Sequence, residues 1–259
     1  MKIPLYHVDA FTSRLFAGNP AAVCPLEDWL PDETLQSIAA ENNLSETAFF
    51  VGAGGDYKIR WFTPATEVDL CGHATLASAF VIFESLLPEA REVRFSSRGG
   101  ALRVTRNGPR LALDFPVRPA QPREAPAGLA QALGRPPREV LAARDLMAVY
   151  EREDDVRGLR PDMARIAMLA DFAVIVTAPG DECDFVSRFF APAQGLPEDP
   201  VTGSSHCTLV PYWAQRTGKT SLRARQLSAR GGELFCELRG DRVLIAGSAV
   251  KYLEGTIEI

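Results

Sequence analysis

Two short segments of the chain combine glycine with imidazole, hydroxyl or thiol side chains, a combination that suits the binding of a small anion. They are Cys71-Gly72-His73-Ala74-Thr75 and Thr202-Gly203-Ser204-Ser205-His206, and each leads into a stretch with helical apolar spacing. The first N–H groups of a helix have no partner within it and lie at the positive end of its dipole, so they bind carboxylates. Glycine lets the backbone approach such a ligand closely. We predict two carboxylate-binding helix starts; the alternative is two ordinary turns capped by Asp69 and Thr202.

A repeat in the sequence favours the binding-site interpretation. Arg60-Trp61-Phe62-Thr63-Pro64-Ala65 is echoed by Arg188-Phe189-Phe190-Ala191-Pro192-Ala193. Each copy is followed by an aspartate, a glycine and a helix, namely Asp69 and Gly72 in the first half and Asp199 and Gly203 in the second. This order predicts an internal duplication, whose period is too long for a solenoid. We interpret Arg60 and Arg188 as surface or inter-strand residues.

The first half of the chain alternates strand and helix signals. A helix is predicted at Asp32–Asn42, capped by Asp32 and buried through Leu35, Ile38 and Ala39. The stretch His73–Glu84 is apolar on nearly every side, which predicts a central helix wrapped by sheet. The remaining predictions are strands at Lys2–Thr12, Thr47–Val51 and Lys58–Thr63, and a hairpin at Leu102–Phe115 that turns at Asn107-Gly108.

In the second half, the proline-rich stretch Pro116–Pro137 is typical of a linker between two halves. A helix is predicted at Ser204–Arg216, and Pro211 should bend it. The remaining predictions are strands at Val140–Tyr150, Phe172–Thr177 and Asp184–Phe190, a helix at Pro161–Leu169, and a hairpin that turns at Gly240-Asp241.

The composition excludes several classes of function. The chain has 259 residues, 46% of them apolar and 24% charged, with a net charge of -5, which is typical of one large or two small globular domains. It contains no arginine-rich block, which argues against a nucleic-acid or membrane partner. Five cysteines without metal-ligand spacing and only three histidines predict no metal site and a reduced, cytoplasmic protein. There is no signal-peptide core, and the apolar run Leu70–Phe83 is too short to span a bilayer.

Five motifs, found in both halves, resemble the PhzF phenazine-biosynthesis isomerase family. They are Val8-Asp9-Ala10-Phe11-Thr12, Phe16-Ala17-Gly18-Asn19-Pro20-Ala21-Ala22-Val23, Asn43-Leu44-Ser45-Glu46-Thr47-Ala48-Phe49, Cys71-Gly72-His73-Ala74-Thr75 and Glu198-Asp199-Pro200-Val201-Thr202-Gly203-Ser204. The resemblance implies an α+β, diaminopimelate epimerase-like fold with two pseudo-symmetric domains. Each domain would be a β-barrel around a central helix, and the site would lie in the cleft between them. We predict the domains at residues 1–117 and 118–259 and leave open whether the last residues return to the first domain.

The resemblance also implies roles for acidic and imidazole side chains. Glu46 would carry a proton from one carbon of the substrate to another, a role that suits a carboxyl group whose pKa is raised toward neutrality in a partly apolar cleft. Without the resemblance, Glu46 would be interpreted as a solvated residue at a strand start. His73 would orient the substrate or tune the glutamate, and Asp199 would be the second acidic residue of the site.

The other residues that the resemblance assigns to the site would bind the substrate. Ser204 would hydrogen-bond the substrate carboxylate together with backbone N–H groups at Gly72 and Gly203. Asn19 would supply a polar wall, although a role in a turn is an equal alternative.

Cys71 raises a competing reaction. Racemases of the wider superfamily use two thiols, and Cys71 is similar to the first of these. The matching position in the second half is Gly203, which has no acid-base group, and Cys207 lies one helical turn further on. One of the two bases is therefore missing, and we interpret Cys71 as a buried small side chain.

These inferences predict a cofactor-independent isomerase that moves a proton on a small carboxylated molecule. The resemblance makes trans-2,3-dihydro-3-hydroxyanthranilate the reference substrate and implies a homodimer. Two alternatives stay open: an amino-acid epimerase or racemase that uses Cys71, and a non-catalytic protein that binds a small ligand.

Overall fold

The computed structural model describes residues 1–169 and 171–259, which form an α+β fold. The strands are β1 (Lys2–Ala10), β2 (Asn19–Leu26), β3 (Glu46–Ala53), β4 (Asp56–Phe62), β5 (Glu67–Val68), β6 (Glu92–Ser97), β7 (Gly100–Asn107), β8 (Arg110–Pro116), β9 (Gln121–Pro122), β10 (Glu139–Ala142), β11 (Leu146–Val149), β12 (Val174–Pro179), β13 (Phe185–Phe190), β14 (Ser221–Gln226), β15 (Gly232–Arg239), β16 (Arg242–Gly247) and β17 (Ala249–Glu258). The α-helices are α1 (Asp32–Asn42), α2 (Gly72–Val81), α3 (Leu129–Leu133), α4 (Glu153–Arg157), α5 (Met163–Ala167) and α6 (His206–Thr217). Among these residues no helix is long and apolar enough to cross a bilayer.

The chain divides into two compact units. The first comprises Met1–Asp114 together with Ala246–Ile259, and the second comprises Phe115–Ile245.

In the first unit, strands surround a buried helix. Strand β1 pairs antiparallel with both β17 and β2. Strand β2 pairs parallel with β3, and the sheet continues from β3 through β4, β6, β7 and β8. Helix α2 packs against β1, β2, β3 and β17. Its sequence has no polar face to turn toward water, and every residue from Gly72 to Ala79 is buried, so the predicted central helix is confirmed.

Helix α1 has the bounds that its sequence predicted. Its buried residues Leu35, Ile38 and Ala39 pack against Phe49 and Phe62 of the sheet. The prediction that Asp32 caps the helix is wrong. The Asp32 carboxylate instead accepts a 2.7 Å hydrogen bond from Arg60.

The second unit is also built around a helix. Its sheet runs from β9 through β10, β11, β12, β13 and β14 to β15, with parallel pairing of β11 to β12 and of β13 to β14. Helix α6 contacts β14 and β15. On another face of α6, the Trp213 ring stacks on Phe185 at 5.8 Å and its Nε1 donates to Oγ1 of Thr177 at 3.0 Å.

Several sequence predictions in the second unit need correction. Val140–Tyr150 is two antiparallel strands, β10 and β11, because the chain turns at residues 143–145. Pro116–Pro137 belongs to the second unit, since β9 pairs with β10 and the apolar side of α3 is part of the core. The helix expected at Pro161–Leu169 is only the short α5, whose N-terminus is capped by Asp162.

Helix α6 begins two residues later than predicted and continues through Pro211 to Thr217. Proline has no N–H to donate to the carbonyl four residues earlier, which belongs to Cys207. That carbonyl accepts a 2.8 Å hydrogen bond from the backbone N–H of Arg118 instead. A segment distant in sequence thus supplies the missing donor.

Candidate active site

In the first unit, a carboxylate and an imidazole meet at the start of α2. Glu46 is the first residue of β3 and His73 is the second residue of α2. Oε2 of Glu46 lies 3.2 Å from Nε2 of His73, and the two side chains are 15% and 5% exposed. Oε2 of Glu46 and Nε2 of His73 are both buried, and neither has a hydrogen-bond partner among residues 1–169 and 171–259. The two atoms are close enough for an ion pair, but they are not aligned for a hydrogen bond. Both atoms therefore have unsatisfied hydrogen-bonding capacity.

The other ring nitrogen of His73 faces an amide and a thiol. Nδ1 lies 3.1 Å from the side-chain amide of Asn19 and 3.6 Å from Sγ of Cys71. The Asn19 amide can donate to this nitrogen or, after rotation about its last bond, accept from it. The ring can therefore keep a polar partner in both of its charge states.

Asn19 follows a loop with unusual backbone angles. Phe11 and Phe16 have φ values of 62° and 67°, in the left-handed region that side chains other than glycine rarely adopt. Gly18 has a φ of 67°, and a Cβ there would collide with the carbonyl oxygen of Ala10. Backbone strain of this kind concentrates at functional sites.

The protonation states of the cluster follow from burial and neighbouring charge. Burial lowers the pKa of His73, but Cys71 and the Glu46 carboxylate more than offset this, so that the pKa lies well above its usual value. Burial raises the pKa of Cys71 to about 11, and Glu46 adds to this effect. The surroundings thus favour the protonated form of the imidazole and the neutral form of the thiol.

Glu46, Cys71 and His73 are also the one group of potential metal ligands found among the described residues, with ligand atoms within 4.8 Å of one another. Thiolate, neutral imidazole and carboxylate are zinc ligands. Here a cation would have to displace a proton from the thiol and another from the imidazole. Metal binding at this group would therefore be coupled to the release of protons.

The second unit contains the other predicted residues, in the loop before α6. Asp199 is 6% exposed, and its Oδ2 accepts a 2.5 Å hydrogen bond from Oγ1 of Thr202. Gln226 of β14 donates from Nε2 to the carbonyl oxygen of Asp199 and accepts from the Thr202 N–H. Gly203 and Ser204 form the turn that enters α6. The loop is thus held by buried polar contacts.

The chain matches the family model described as phenazine biosynthesis-like protein (PhzC-PhzF) over residues 8–255. An uncharacterized isomerase of Pseudomonas aeruginosa is 52% identical over 259 residues, which cover 100% of both chains. A PhzF-family crystal structure from Enterococcus faecalis superposes with a TM-score of 0.97, at 46% identity and 100% coverage of both chains. The chain belongs to the PhzC-PhzF family.

Comparison with a more distant structure supports the assignment of the fold. A predicted epimerase of Pseudomonas aeruginosa has a TM-score of 0.76 at 18% identity over 99% of each chain, a likeness of fold alone. The PhzF chain therefore has the diaminopimelate epimerase-like fold that its motifs implied, and its membership of the isomerases is confirmed.

Two further residues, which the sequence did not indicate, contact the predicted residues of the second unit. Arg144, in the turn between β10 and β11, places Nη2 3.4 Å from Oγ of Ser204. The two residues are sixty positions apart in sequence, and Arg144 stands in an ordinary turn tripeptide, Ala143-Arg144-Asp145. Gln226, which holds the Asp199 loop, likewise has no local signal.

The interpretation of Arg60 and Arg188 as surface or inter-strand residues needs refinement. Both are largely buried, at 16% and 12% side-chain exposure, and each forms two hydrogen bonds with a glutamate that follows it, Glu67 or Glu198. Each guanidinium also stacks on the phenylalanine two residues later. The repeated motif thus encodes the same ion pair in both units.

Proposed function

We propose that this PhzF chain is a cofactor-independent isomerase that moves a proton between two carbon atoms of a small carboxylated substrate. The observation that carries the proposal is the pair of unpartnered buried atoms, Oε2 of Glu46 and Nε2 of His73, 3.2 Å apart at the start of a buried helix. A carboxylate is a suitable base only where a substrate C–H can reach it, and this one has no protein hydrogen bond at that oxygen.

In the proposed reaction, Oε2 of Glu46 takes a proton from one substrate carbon and the electron pair of that C–H bond moves into the conjugated system. The resulting carboxylic acid returns the proton to a second carbon, so that substrate and product are isomers and Glu46 is regenerated. His73, whose raised pKa favours the protonated ring, stabilises the carboxylate before and after the transfer. The Asn19 amide supports either charge state of the ring.

The substrate's carboxylate gives the protein a way to orient it. We assign this role to the N–H groups at Gly72 and His73, which lie in the first turn of α2 and have no partner within that helix. In the second unit, Ser204 and the N–H of Gly203, at the start of α6, are the corresponding candidates for binding a carboxylate. Asp199, held by Thr202, would serve as the second acidic group.

The test is proton NMR with trans-2,3-dihydro-3-hydroxyanthranilate, comparing the parent chain with Glu46→Gln and with Glu41→Gln. Glu41 is an exposed glutamate on α1 and undergoes the same chemical change away from the site. We expect conversion by the parent and by Glu41→Gln, and none by Glu46→Gln. Conversion by Glu46→Gln at the parent rate would refute the assignment of the proton carrier, and no conversion by the parent would refute this substrate.

We favour this reaction over a thiol-dependent epimerase. Cys71 is 6% exposed and its pKa is raised to about 11, so the thiolate that would act as base is scarce at neutral pH. The second unit has Gly203 at the matching motif position.

A further inference from the structure

Arg144 lies at the tip of a short hairpin in the second unit. Strands β10 and β11 pair from Glu139–Val149 to Ala142–Leu146, and the turn between them contains Arg144. The turn is closed by a 3.1 Å hydrogen bond from the N–H of Ala143 to the carbonyl oxygen of Asp145. The base of the Arg144 side chain is therefore fixed by backbone structure.

The guanidinium of Arg144 is also held in place. Its Nε and Nη2 donate to the two carboxylate oxygens of Asp145, each at 2.9 Å, and Asp145 itself is only 2% exposed. The guanidinium carbon lies 4.7 Å from the centre of the Phe172 ring, a stacking distance. A planar guanidinium held on two sides loses little further conformational freedom when it binds an anion.

These contacts leave donors free toward the start of α6. The second hydrogen of Nη2 reaches Oγ of Ser204 at 3.4 Å, and the two N–H groups of Nη1 have no protein acceptor among residues 1–169 and 171–259. The side chain is 35% exposed, so these N–H groups are accessible. Phe172, which is 44% exposed, provides an apolar surface beside them.

A second cation acts on the same end of α6. Arg118 donates its backbone N–H to the carbonyl oxygen of Cys207, and its Nη1 is buried without a hydrogen-bond partner among the described residues. Arg118 and Arg144 both favour negative charge at the Cys207 sulfur, although burial still raises the pKa of that thiol to about 11. Positive potential is therefore concentrated around the first turn of α6.

We propose that Arg144, together with Ser204, is an anion-binding arm that recognises the carboxylate of a cyclic substrate lying against Phe172. This inference rests on the proposed function for the identity of the substrate class. Its own basis is the fixed guanidinium, the accessible N–H groups of Nη1 and the adjacent exposed ring.

The experiment measures binding without turnover, by isothermal titration calorimetry with anthranilate and with 2-aminobenzamide. The two probes have nearly the same shape, but only anthranilate has a carboxylate. The variants are Arg144→Gln, Arg144→Lys and the control Arg216→Gln. Arg216 also pairs with a glutamate, stacks on an aromatic ring at 4.6 Å and is 42% exposed, but it lies in the last turn of α6.

We expect the parent to prefer anthranilate, and Arg144→Gln to weaken anthranilate binding about 10-fold or more while 2-aminobenzamide binding stays unchanged. Arg144→Lys should recover part of the loss, since it restores the charge without the planar fork. Arg216→Gln should bind both probes like the parent. No measurable anthranilate binding by the parent, equal binding by Arg144→Gln, or an equal loss in Arg216→Gln would each overturn the proposal.

Comparing these titrations with the isomerisation assay separates this inference from the proposed reaction. If the carboxylate preference and its loss in Arg144→Gln persist while the parent shows no isomerisation, the anion-binding arm stands and the reaction is wrong. If isomerisation depends on Glu46 but the Arg144 variants bind anthranilate like the parent, the reaction stands and the arm is wrong.

Discussion

Each unit contains a buried histidine in the first turn of its central helix, and the two have opposite surroundings. His73, 4% exposed, lies beside a carboxylate, and its pKa is raised well above the usual value although burial alone would lower it. His206, with no exposed surface, lies against the Phe185 ring and places Nδ1 2.9 Å from the carbonyl oxygen of Thr202, and burial lowers its pKa to about 4. Burial is common to both, so the neighbouring Cys71 and Glu46 side chains make the difference. This difference supports the proposal that His73 takes part in proton transfer and predicts a structural role for His206.

The sharpest test of this contrast is the same substitution at both positions. Asparagine replaces the Nδ1 side of the ring with an amide and removes Nε2. We expect His73→Asn to lower kcat about 100-fold or more, because the cation beside Glu46 is lost. We expect His206→Asn to leave kcat of the folded protein within about twofold. Equal losses in steady-state isomerisation assays would remove the distinction between the two histidines.

The pH dependence of stability should also separate them. The folded-state pKa of His206 is about 4, which is below its unfolded-state value. Its contribution to the free energy of unfolding is therefore present above pH 6.5 and is lost as the pH falls toward 4. A pKa difference of about 2.5 between the folded and unfolded states corresponds to roughly 3 kcal/mol in the free energy of unfolding. His73 has a raised pKa, so its contribution is present below pH 6.5 and is lost as the pH rises through its folded value.

Urea denaturation of the parent and of both asparagine variants between pH 4 and pH 9 measures these contributions. His206→Asn should flatten the acid side of the stability profile, and His73→Asn should flatten the alkaline side. NMR titration of the three imidazoles gives the pKa values directly, with a His7→Gln variant to assign the third signal. An ordinary titration of His206 near pH 6.5 in the folded protein would contradict the contrast.

Local patterns in the sequence predicted the elements whose stability is local. The apolar spacing of Leu35, Ile38 and Ala39 placed α1 at its observed bounds, and the unbroken apolar surface of His73–Glu84 placed the central helix. Val140–Tyr150 was predicted as one strand because its residues are compatible with a strand throughout. The turn at Arg144 is set by the antiparallel pairing of the two halves, which no local pattern encodes.

The candidate site shows the same limit. The family motifs identified Glu46, His73 and Asn19, which the structure brings into one cluster. The opposite pKa shifts of the two histidines could not be predicted, because each depends on a neighbour from a different part of the fold. The ion pairs of Arg60 and Arg188 could have been predicted from the sequence. In both repeats the arginine is followed by a glutamate within ten positions, and this spacing indicates a repeated ion pair.

Those ion pairs provide a test in which the two units should behave alike. Removing the arginine takes away both hydrogen bonds that the largely buried glutamate accepts from it. We expect Arg60→Gln and Arg188→Gln each to lower the free energy of unfolding by about 2 kcal/mol in urea titrations. Arg239→Gln, which removes the partner of Glu237 at an exposed site, should cost less than about 0.5 kcal/mol. A twofold larger cost in one unit would show that the duplication has diverged here.

The smallest effect is expected at Cys71, which also bears on the contrast between the units. Its sulfur contacts Nδ1 of His73 at 3.6 Å, but Asn19 lies closer to the same nitrogen, and the thiol is protonated at neutral pH. Cys71→Ser keeps a small polar group at that position and should change kcat/KM by less than about threefold. Cys207→Ser, at an equally buried thiol in the second unit, is the matched control. A loss of more than about 100-fold in Cys71→Ser alone would mean that the sulfur itself exchanges protons with the substrate. The first unit would then supply a thiol base, and Glu46 would become the group that activates it.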